Sequence, residues 1–278
     1  MKRVALSDGE NVPALGQGTW GMGESKSAHA EEVAALRLGI DLGMTLVDTA
    51  EIYGDGGSEK VVADEIVGQR DRVLVVTKVS PRNASRTGLP KACERSLKRL
   101  RIDAIDLYLL HWPSITPLAE TVKAFEQLRS AGKIRRWGVS NFDVGDMEEL
   151  LAIGDGSACS ANQVLYHVGE RAIESDLLSW SQRNKIPIMA YSPVGRGRRL
   201  LNNATLKKIA ERHDSTPAQI AIAWVLRQSG VIAIPKASNK THVRDNAQSA
   251  DIQLTDQDFV DIDREFPPPQ TKQPLPML

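Results

Sequence analysis

The sequence predicts an α/β fold: a (β/α)8, or TIM, barrel that forms one domain over residues 1–278, with a β-hairpin ahead of the barrel. The first observation is an alternation, repeated eight times, of short β-rich runs with segments of helical periodicity. This alternation is typical of βαβ units around a parallel sheet. The second is the length of 278 residues, close to the ~250 residues of such barrels.

Local signals predict each strand in chain order. Asp8 and Gly9, followed by Asn11, form a turn signal that predicts a hairpin within 4–15. Continuous apolar runs such as 107–110 predict barrel strands that are buried on both faces. The eight barrel strands are predicted at 16–20, 45–48, 73–78, 105–111, 136–140, 162–166, 188–192 and 231–236.

A helix is expected after every barrel strand, because apolar residues recur there at helical spacing. In the first helix Val33, Leu36 and Ile40 share one face, and Gly43 suits its end. An insertion after the seventh strand adds an extra helix, and another helical pattern follows Leu254 before a Pro-rich end. Helices are predicted at about 58–67, 144–153, 174–184, 204–212 and 217–228, and one starts near Asn239.

Composition excludes several classes of partner. Acidic and basic residues balance at 35 each, which does not favour binding to nucleic acid or to a membrane surface. The start lacks an apolar signal core, and the longest uncharged apolar-rich stretch, 215–226, is shorter than the ~20 residues that span a bilayer. Cys93 and Cys159 are interpreted as reduced thiols. We therefore expect a cytoplasmic monomer without metal, nucleic acid or membrane.

Polar or aromatic residues lie at the ends of almost all predicted strands, although a buried strand does not need them. In a barrel of this type the carboxyl ends of the strands form the active-site face, so one layout gathers these residues around one opening. Each has a structural alternative when taken alone: Asp48 as a cap, Lys78 as a solvated strand end, His111 as a core histidine. The residues are Trp20, Asp48, Lys78, His111, Ser140, Asn141, Asn162, Gln163, Ser192 and Lys236.

Asp48, Tyr53, Lys78 and His111 together suit proton donation to a carbonyl group. A phenol has an unperturbed pKa of about 10, and a nearby ammonium such as Lys78 lowers it. The Asp48 carboxylate keeps Lys78 charged, and the His111 imidazole can hold a carbonyl oxygen. The four residues therefore predict an acid that protonates a carbonyl oxygen while a hydride reaches the carbon.

These segments resemble the aldo-keto reductase family over nearly the whole chain, and they are similar to its bacterial methylglyoxal reductase-like members. The matching segments are VDTAEIYG at 47–54, TK at 77–78, DLYLLHWP at 106–113, GVSNF at 138–142, NQ at 162–163, YSP at 191–193 and IPK at 234–236. The resemblance implies NADPH as cofactor, Tyr53 as general acid, Lys78 and Asp48 as the groups that tune it, and His111 as the group that orients the carbonyl.

The resemblance also implies the binding residues. Ser140, Asn141 and Gln163 would hold the nicotinamide carboxamide and Tyr191 would stack on its ring, with core packing as the alternative for Tyr191. Lys236 would meet the 2′-phosphate of NADPH. The full set of implied cofactor residues is Thr19, Trp20, Ser140, Asn141, Gln163, Tyr191, Ser192, Pro193, Val194, Gly195, Lys236, Ser238, His242, Arg244 and Asn246. The implied substrate residues are Trp20, Met22, Ile52 and Trp112.

One position departs from the family pattern. His242 stands where many relatives carry Arg, which is the stronger anion binder, so weaker discrimination against NADH is expected. Arg196, Arg198 and Arg199 either close over the pyrophosphate or form a solvated face, and the sequence leaves both open.

The expected function is the reduction of small aldehydes, methylglyoxal-like or aromatic, to alcohols, with ketones as further candidate substrates. The alternative is a cofactor-binding regulatory protein on the same barrel, because the fold alone does not separate the two. The intact set of four favours catalysis, since a binding protein would tolerate the loss of one member. An isomerase or hydrolase would need carboxylate pairs or metal ligands, and the sequence offers none.

Overall fold

The computed structural model describes residues 1–196 and 198–277, and only the backbone of Arg198. Its centre is an eight-stranded sheet in which every neighbouring pair of strands is parallel. A separate antiparallel hairpin of β1 (Arg3–Ala5) and β2 (Asn11–Pro13) precedes it. The sheet strands are β3 (Gln17–Gly18), β4 (Leu46–Asp48), β5 (Leu74–Val79), β6 (Ile105–Leu110), β7 (Ile134–Ser140), β8 (Cys159–Leu165), β9 (Ile188–Tyr191) and β10 (Val231–Ile234).

The sheet closes into a barrel where the first of these strands meets the last. Parallel bridges join Leu15 to Ala233 and Gly18 to Lys236. Gly18 suits this seam because a Cβ there would lie 2.8 Å from the carbonyl oxygen of Ile234. The closed ring leaves the barrel without a free sheet edge, and it brings the start and the end of the barrel to one opening.

Helices surround the barrel, and several of them start at capping residues. Asp143 and Thr216 each form a capping box, and Pro217 occupies the first turn of its helix, where it costs no hydrogen bond. The helices are α1 (His29–Asp41), α2 (Gly57–Glu65), α3 (Gly88–Leu100), α4 (Leu118–Ser130), α5 (Val144–Ala152), α6 (Leu177–Asn184), α7 (Arg198–Leu201), α8 (Ala204–Arg212), α9 (Pro217–Leu226), α10 (Lys240–Gln248) and α11 (Asp256–Glu265).

The predicted barrel, its leading hairpin and the extra helices after the seventh barrel strand and near the C-terminus are confirmed. The predicted bounds differ in places. β8 begins at Cys159, so Gln163 lies within the strand rather than at its start. β3 covers only Gln17–Gly18 of the expected 16–20, because the chain turns at Gly21 with a φ of 76°. The helix expected at 174–184 begins at Leu177, after a 3-10 turn at Ala172–Ser175.

None of the helices in the described part of the chain is long and apolar enough to cross a membrane.

A buried carboxyl group lies outside the barrel, at the end of α2. Glu65 is fully buried, and Gln69 Nε2 donates to its Oε1 at 3.1 Å. The other oxygen, Oε2, has no hydrogen-bond partner among the residues that the structure describes. Burial raises the pKa of Glu65 to about 8, and Arg37 and Gln69 only partly oppose it. The folded protein therefore holds this carboxyl in its neutral form near pH 7.

We expect Glu65→Gln to stabilise the protein at high pH but not at low pH. The folded pKa of about 8 exceeds the ~4.3 of an unfolded chain, so wild-type stability falls as pH rises between these values. Near pH 8 the variant should gain about 1–3 kcal/mol in free energy of unfolding. Urea denaturation at several pH values measures the difference. Glu211→Gln, at an exposed position of α8, is the control, and a gain that does not depend on pH would contradict the prediction.

Candidate active site

A cavity of about 590 Å³ opens at the carboxyl ends of the barrel strands. Consecutive parallel strands end at the same edge, so polar residues distant in sequence meet there. The residues that line it are Gly18, Thr19, Trp20, Glu24, Asp48, Ile52, Tyr53, Gly54, His111, Trp112, Ser140, Asn141, Gln163, Tyr191, Ser192, Pro193, Val194, Gly195, Arg196, Ile234 and Lys236.

The floor of the cavity contains a buried ion pair. Lys78, at the end of β5, is fully buried, and its Nζ donates to Asp48 Oδ2 at 2.6 Å and to the carbonyl oxygen of Thr49 at 2.8 Å. A third contact joins Lys78 Nζ to the Tyr53 hydroxyl at 3.4 Å. The three donors of the ammonium thus have three oxygen partners, which compensates for its removal from water.

Burial and charge act in opposite directions on the pKa values of these groups. Burial by itself would lower the pKa of Lys78, but the Asp48 carboxylate and the Tyr53 hydroxyl outweigh burial and raise it. Burial raises the pKa of Tyr53, and the Lys78 ammonium only partly opposes this rise. The sequence analysis predicted a lowered pKa for the phenol. That direction is wrong, because desolvation exceeds the effect of the ammonium.

His111 follows β6 and faces Tyr53 across the cavity. Its ring stacks on Trp112, with centroids 3.8 Å apart, and lies edge-on to the Tyr53 ring at 5.7 Å. Burial, with a smaller contribution from Lys78, lowers the pKa of His111 to about 2. The imidazole is therefore neutral at any pH at which the protein would work. Its Nδ1 is buried and has no hydrogen-bond partner among the described residues.

A second group of polar residues lies on β7, β8 and β9. Asn141 has a left-handed φ of 62°, and its backbone N–H donates to the Gln163 carbonyl oxygen at 2.8 Å. Its side-chain Nδ2 donates to the carbonyl oxygen of His111 at 3.0 Å, and its Oδ1 accepts from the Tyr191 hydroxyl at 3.0 Å. These hydrogen bonds hold Asn141 in its strained left-handed conformation, and strained backbone that is held in this way is typical of functional sites.

The loop after β9 forms one wall of the cavity. Ser192 and Gly195 have φ values of 51° and 70°, and the Gly195 N–H donates to the Ser192 carbonyl oxygen at 2.8 Å. The Arg196 guanidinium lies over the Trp20 ring, 4.7 Å from its centroid. The sequence analysis left two roles open for Arg196, one over the bound cofactor and one on a solvated face. Its position beside Trp20 favours a role at the cavity. The side chain of Arg198 lies outside the described residues.

The structure brings Asp48, Tyr53, Lys78 and His111 together, as the sequence predicted. Most of the predicted cofactor residues line the cavity: Thr19, Trp20, Ser140, Asn141, Gln163, Tyr191, Ser192, Pro193, Val194, Gly195 and Lys236. Three of the predicted substrate residues, Trp20, Ile52 and Trp112, line it as well. Four cofactor residues lie outside this cavity, before or on α10: Ser238, His242, Arg244 and Asn246. Their role stays a prediction.

One predicted residue is not at the site. Met22 was expected in the substrate pocket, and this expectation is wrong because its side chain is fully buried in the hydrophobic core. Gly21 and Gly23 flank it with φ values of 76° and 74°, and this double turn places Met22 in the interior. The sequence analysis assigned no role to four other residues that line the cavity, Gly18, Glu24, Gly54 and Ile234. The GMG sequence at 21–23 could have indicated the turn, but not its direction.

Three comparisons bear on this site. Residues 14–265 match the model of the Aldo/keto reductase family. "Methylglyoxal reductase YeaE" of Escherichia coli (strain K12) is 48% identical to this chain, over 100% of this chain and 99% of that protein. "Glyoxal reductase" of Bacillus subtilis (strain 168) is 34% identical over 94% of this chain and 91% of its own. A crystal structure of an aldo-keto reductase from Klebsiella pneumoniae with NADPH has a TM-score of 0.97 and 49% identity, covering 100% of this chain and 99% of that one.

We expect Lys78→Met to destabilise the protein, because it leaves the buried Asp48 carboxylate without its counter-ion. Removal of one partner of a buried pair costs about 3–5 kcal/mol. Urea denaturation measures this loss. The double variant Asp48→Asn/Lys78→Met should recover much of it, since no buried charge is left alone. If the single variant were as stable as wild type, the pair would not carry the proposed energetic role.

Proposed function

The chain belongs to the aldo/keto reductase family, and we propose that it reduces small aldehydes, methylglyoxal-like or aromatic, and ketones to alcohols with NADPH. The observation that carries this proposal is the contact of Tyr53 with the buried Lys78 at the floor of the cavity. A sequence identity of 48% to a protein named methylglyoxal reductase supports the substrate class, and the similar structures with NADP and NADPH support the cofactor.

In this proposal Tyr53 is the proton donor. Its raised pKa keeps the hydroxyl protonated, so the proton is available. Donation leaves a phenolate, and the Lys78 ammonium, whose Nζ is 3.4 Å away, stabilises that anion. Asp48 keeps the ammonium charged and in place. The three residues thus favour the state that follows proton transfer.

His111 is proposed to orient the carbonyl oxygen rather than to protonate it. With a pKa of about 2 the imidazole carries one proton, on one of its two nitrogens. The buried Nδ1 has no acceptor in the described part of the chain, and an unpaired buried N–H costs more than an unpaired lone pair. The proton is therefore assigned to Nε2, which can donate a hydrogen bond to the substrate.

The residues present fit a dinucleotide with a 2′-phosphate. Lys236 lines the cavity with an exposed side chain and forms no ion pair with the described residues; its Nζ meets only Ser238 Oγ, at 3.4 Å. Ser140, Asn141 and Gln163 would hold the carboxamide, Tyr191 the ring, and the loop from Ser192 to Gly195 the pyrophosphate. Bound NADPH would supply the hydride.

Apolar side chains would hold the substrate beyond the reacting centre. Trp20 and Ile52 are largely exposed at the cavity, and Trp112 stacks on His111. Flat aromatic walls suit small apolar or planar carbonyl compounds. We further propose that the protein acts as a monomer in the cytoplasm, a reducing compartment that its two thiols suit.

We expect saturable NADPH oxidation with methylglyoxal and with 4-nitrobenzaldehyde. Tyr53→Phe should lower kcat by about 10²- to 10⁴-fold, because it removes the general acid and little else. NADPH affinity, measured by fluorescence titration, should change little in this variant.

Two outcomes would contradict the proposal in different ways. Tight NADPH binding without turnover of any carbonyl compound would favour the alternative, a cofactor-binding regulatory protein. Turnover that survives in Tyr53→Phe would leave the reductase activity standing and refute the role of Tyr53.

We expect Lys236→Met to raise KM for NADPH by about 10- to 100-fold and KM for NADH much less, because only NADPH carries the 2′-phosphate. Initial rates with each cofactor measure the two constants. Lys208→Met removes an exposed lysine of α8 and serves as the charge control. Equal effects on both cofactors would mean that residues other than Lys236 recognise the phosphate.

A further inference from the structure

We propose that Gln163 is a positioning residue for proton transfer: it fixes the Asp48 carboxylate and so connects the carboxamide pocket to Lys78 and Tyr53. This proposal rests on the proposed reductase function. It goes beyond the role in carboxamide binding that the family resemblance implies. The observation behind it is a buried hydrogen bond between two residues far apart in the chain.

The hydrogen bond occupies the oxygen of Asp48 that Lys78 leaves free. Gln163 Nε2 donates to Asp48 Oδ1 at 2.7 Å, and Lys78 Nζ donates to Asp48 Oδ2 at 2.6 Å. Asp48 and Gln163 are 3% and 2% exposed, so water does not readily replace the hydrogen bond between them. The carboxylate is therefore held at both oxygens, which fixes its plane as well as its distance from Lys78.

The same bond sets the orientation of the Gln163 amide. An ionised carboxylate only accepts hydrogen bonds, so the NH₂ group of Gln163 must face Asp48. The Oε1 atom then faces away from Asp48, and it accepts no hydrogen bond from the described residues. Because Gln163 also lines the cavity, this oxygen can accept from the NH₂ group of a carboxamide but cannot donate to its carbonyl.

The backbone holds Gln163 rigidly in this position. Its carbonyl oxygen accepts from Ser140 Oγ at 2.7 Å and from the Asn141 N–H at 2.8 Å. Residue 163 also pairs with Ser140 in the register of β7 and β8. Because its backbone is held at these points, Gln163 can link the position of a bound carboxamide to the position of Asp48 through two consecutive hydrogen bonds.

The charges around Asp48 determine what the loss of this bond would do. Lys78 and Gln163 contact Asp48 directly, the charges of Asp48 and Arg196 act on Tyr53, and Lys78 acts on His111. Burial raises the pKa of Asp48, whereas Lys78 and Gln163 lower it. Without Gln163 the pKa of Asp48 would rise further. Protonation of Asp48 then removes the negative charge that keeps Lys78 charged beside Tyr53.

Gln163→Met tests the proposal, because it keeps the length of the side chain and removes the donor. The pH profile of kcat at saturating NADPH should have its acidic limb shifted upward by about 1–2 pH units. Lys236→Met also weakens NADPH binding, but it leaves Asp48 untouched and its acidic limb should stay in the wild-type position. Gln163→Asn, whose amide is too short to reach Asp48, should shift the limb in the same direction and serves if the first variant does not fold.

A second readout uses the protein without cofactor. The loss in free energy of unfolding of Gln163→Met relative to wild type should be largest near neutral pH and shrink as the pH falls, because protonated Asp48 no longer needs the donor. A loss independent of pH, together with an unshifted limb, would overturn the proposal and leave Gln163 as a cofactor contact only. If wild type turned over no carbonyl compound, the proposed function would fail, while the unfolding measurement would still decide the contact with Asp48.

Discussion

The site depends on one physical constraint, the burial of a lysine ammonium inside the barrel. Lys78 is fully buried, and removing a charge of this kind from water costs several kcal/mol unless its partners compensate. The compensation comes from Asp48 at 2.6 Å and the Thr49 carbonyl at 2.8 Å, both at the carboxyl end of the neighbouring strand. Tyr53 lies in the loop that follows, so the same packing brings a phenol within 3.4 Å of the ammonium.

Much of this arrangement could be predicted from the sequence, because the barrel turns chain order into spatial order. Asp48, Lys78 and His111 lie at or just after the ends of adjacent parallel strands, and such strands end at one face. Alternating β-rich and helical segments suffice to predict that topology. The bounds of the strands then follow to within a few residues. For β8, for example, the predicted start is 162 and the observed start is Cys159.

Three other features depend on how distant segments pack together, which a local sequence pattern does not contain. Met22 is buried because glycines on both sides adopt positive φ, and the sequence does not give the direction of that turn. The pKa of Tyr53 depends on how much water the folded chain excludes, which exceeds the effect of Lys78. Arg196 reaches Trp20 only because the loop after the seventh barrel strand folds towards the loop after the first.

Burial also decides which residue can donate a proton. The same exclusion of water that raises the pKa of Tyr53 lowers that of His111 to about 2, so the imidazolium does not form near neutral pH. Lys78, with its raised pKa and three oxygen partners, holds its protons firmly. Tyr53 combines a proton at neutral pH with a neighbouring cation, Lys78, that stabilises its conjugate base. The exclusion of water from the floor therefore selects the acid, and the ion pair there makes that acid usable.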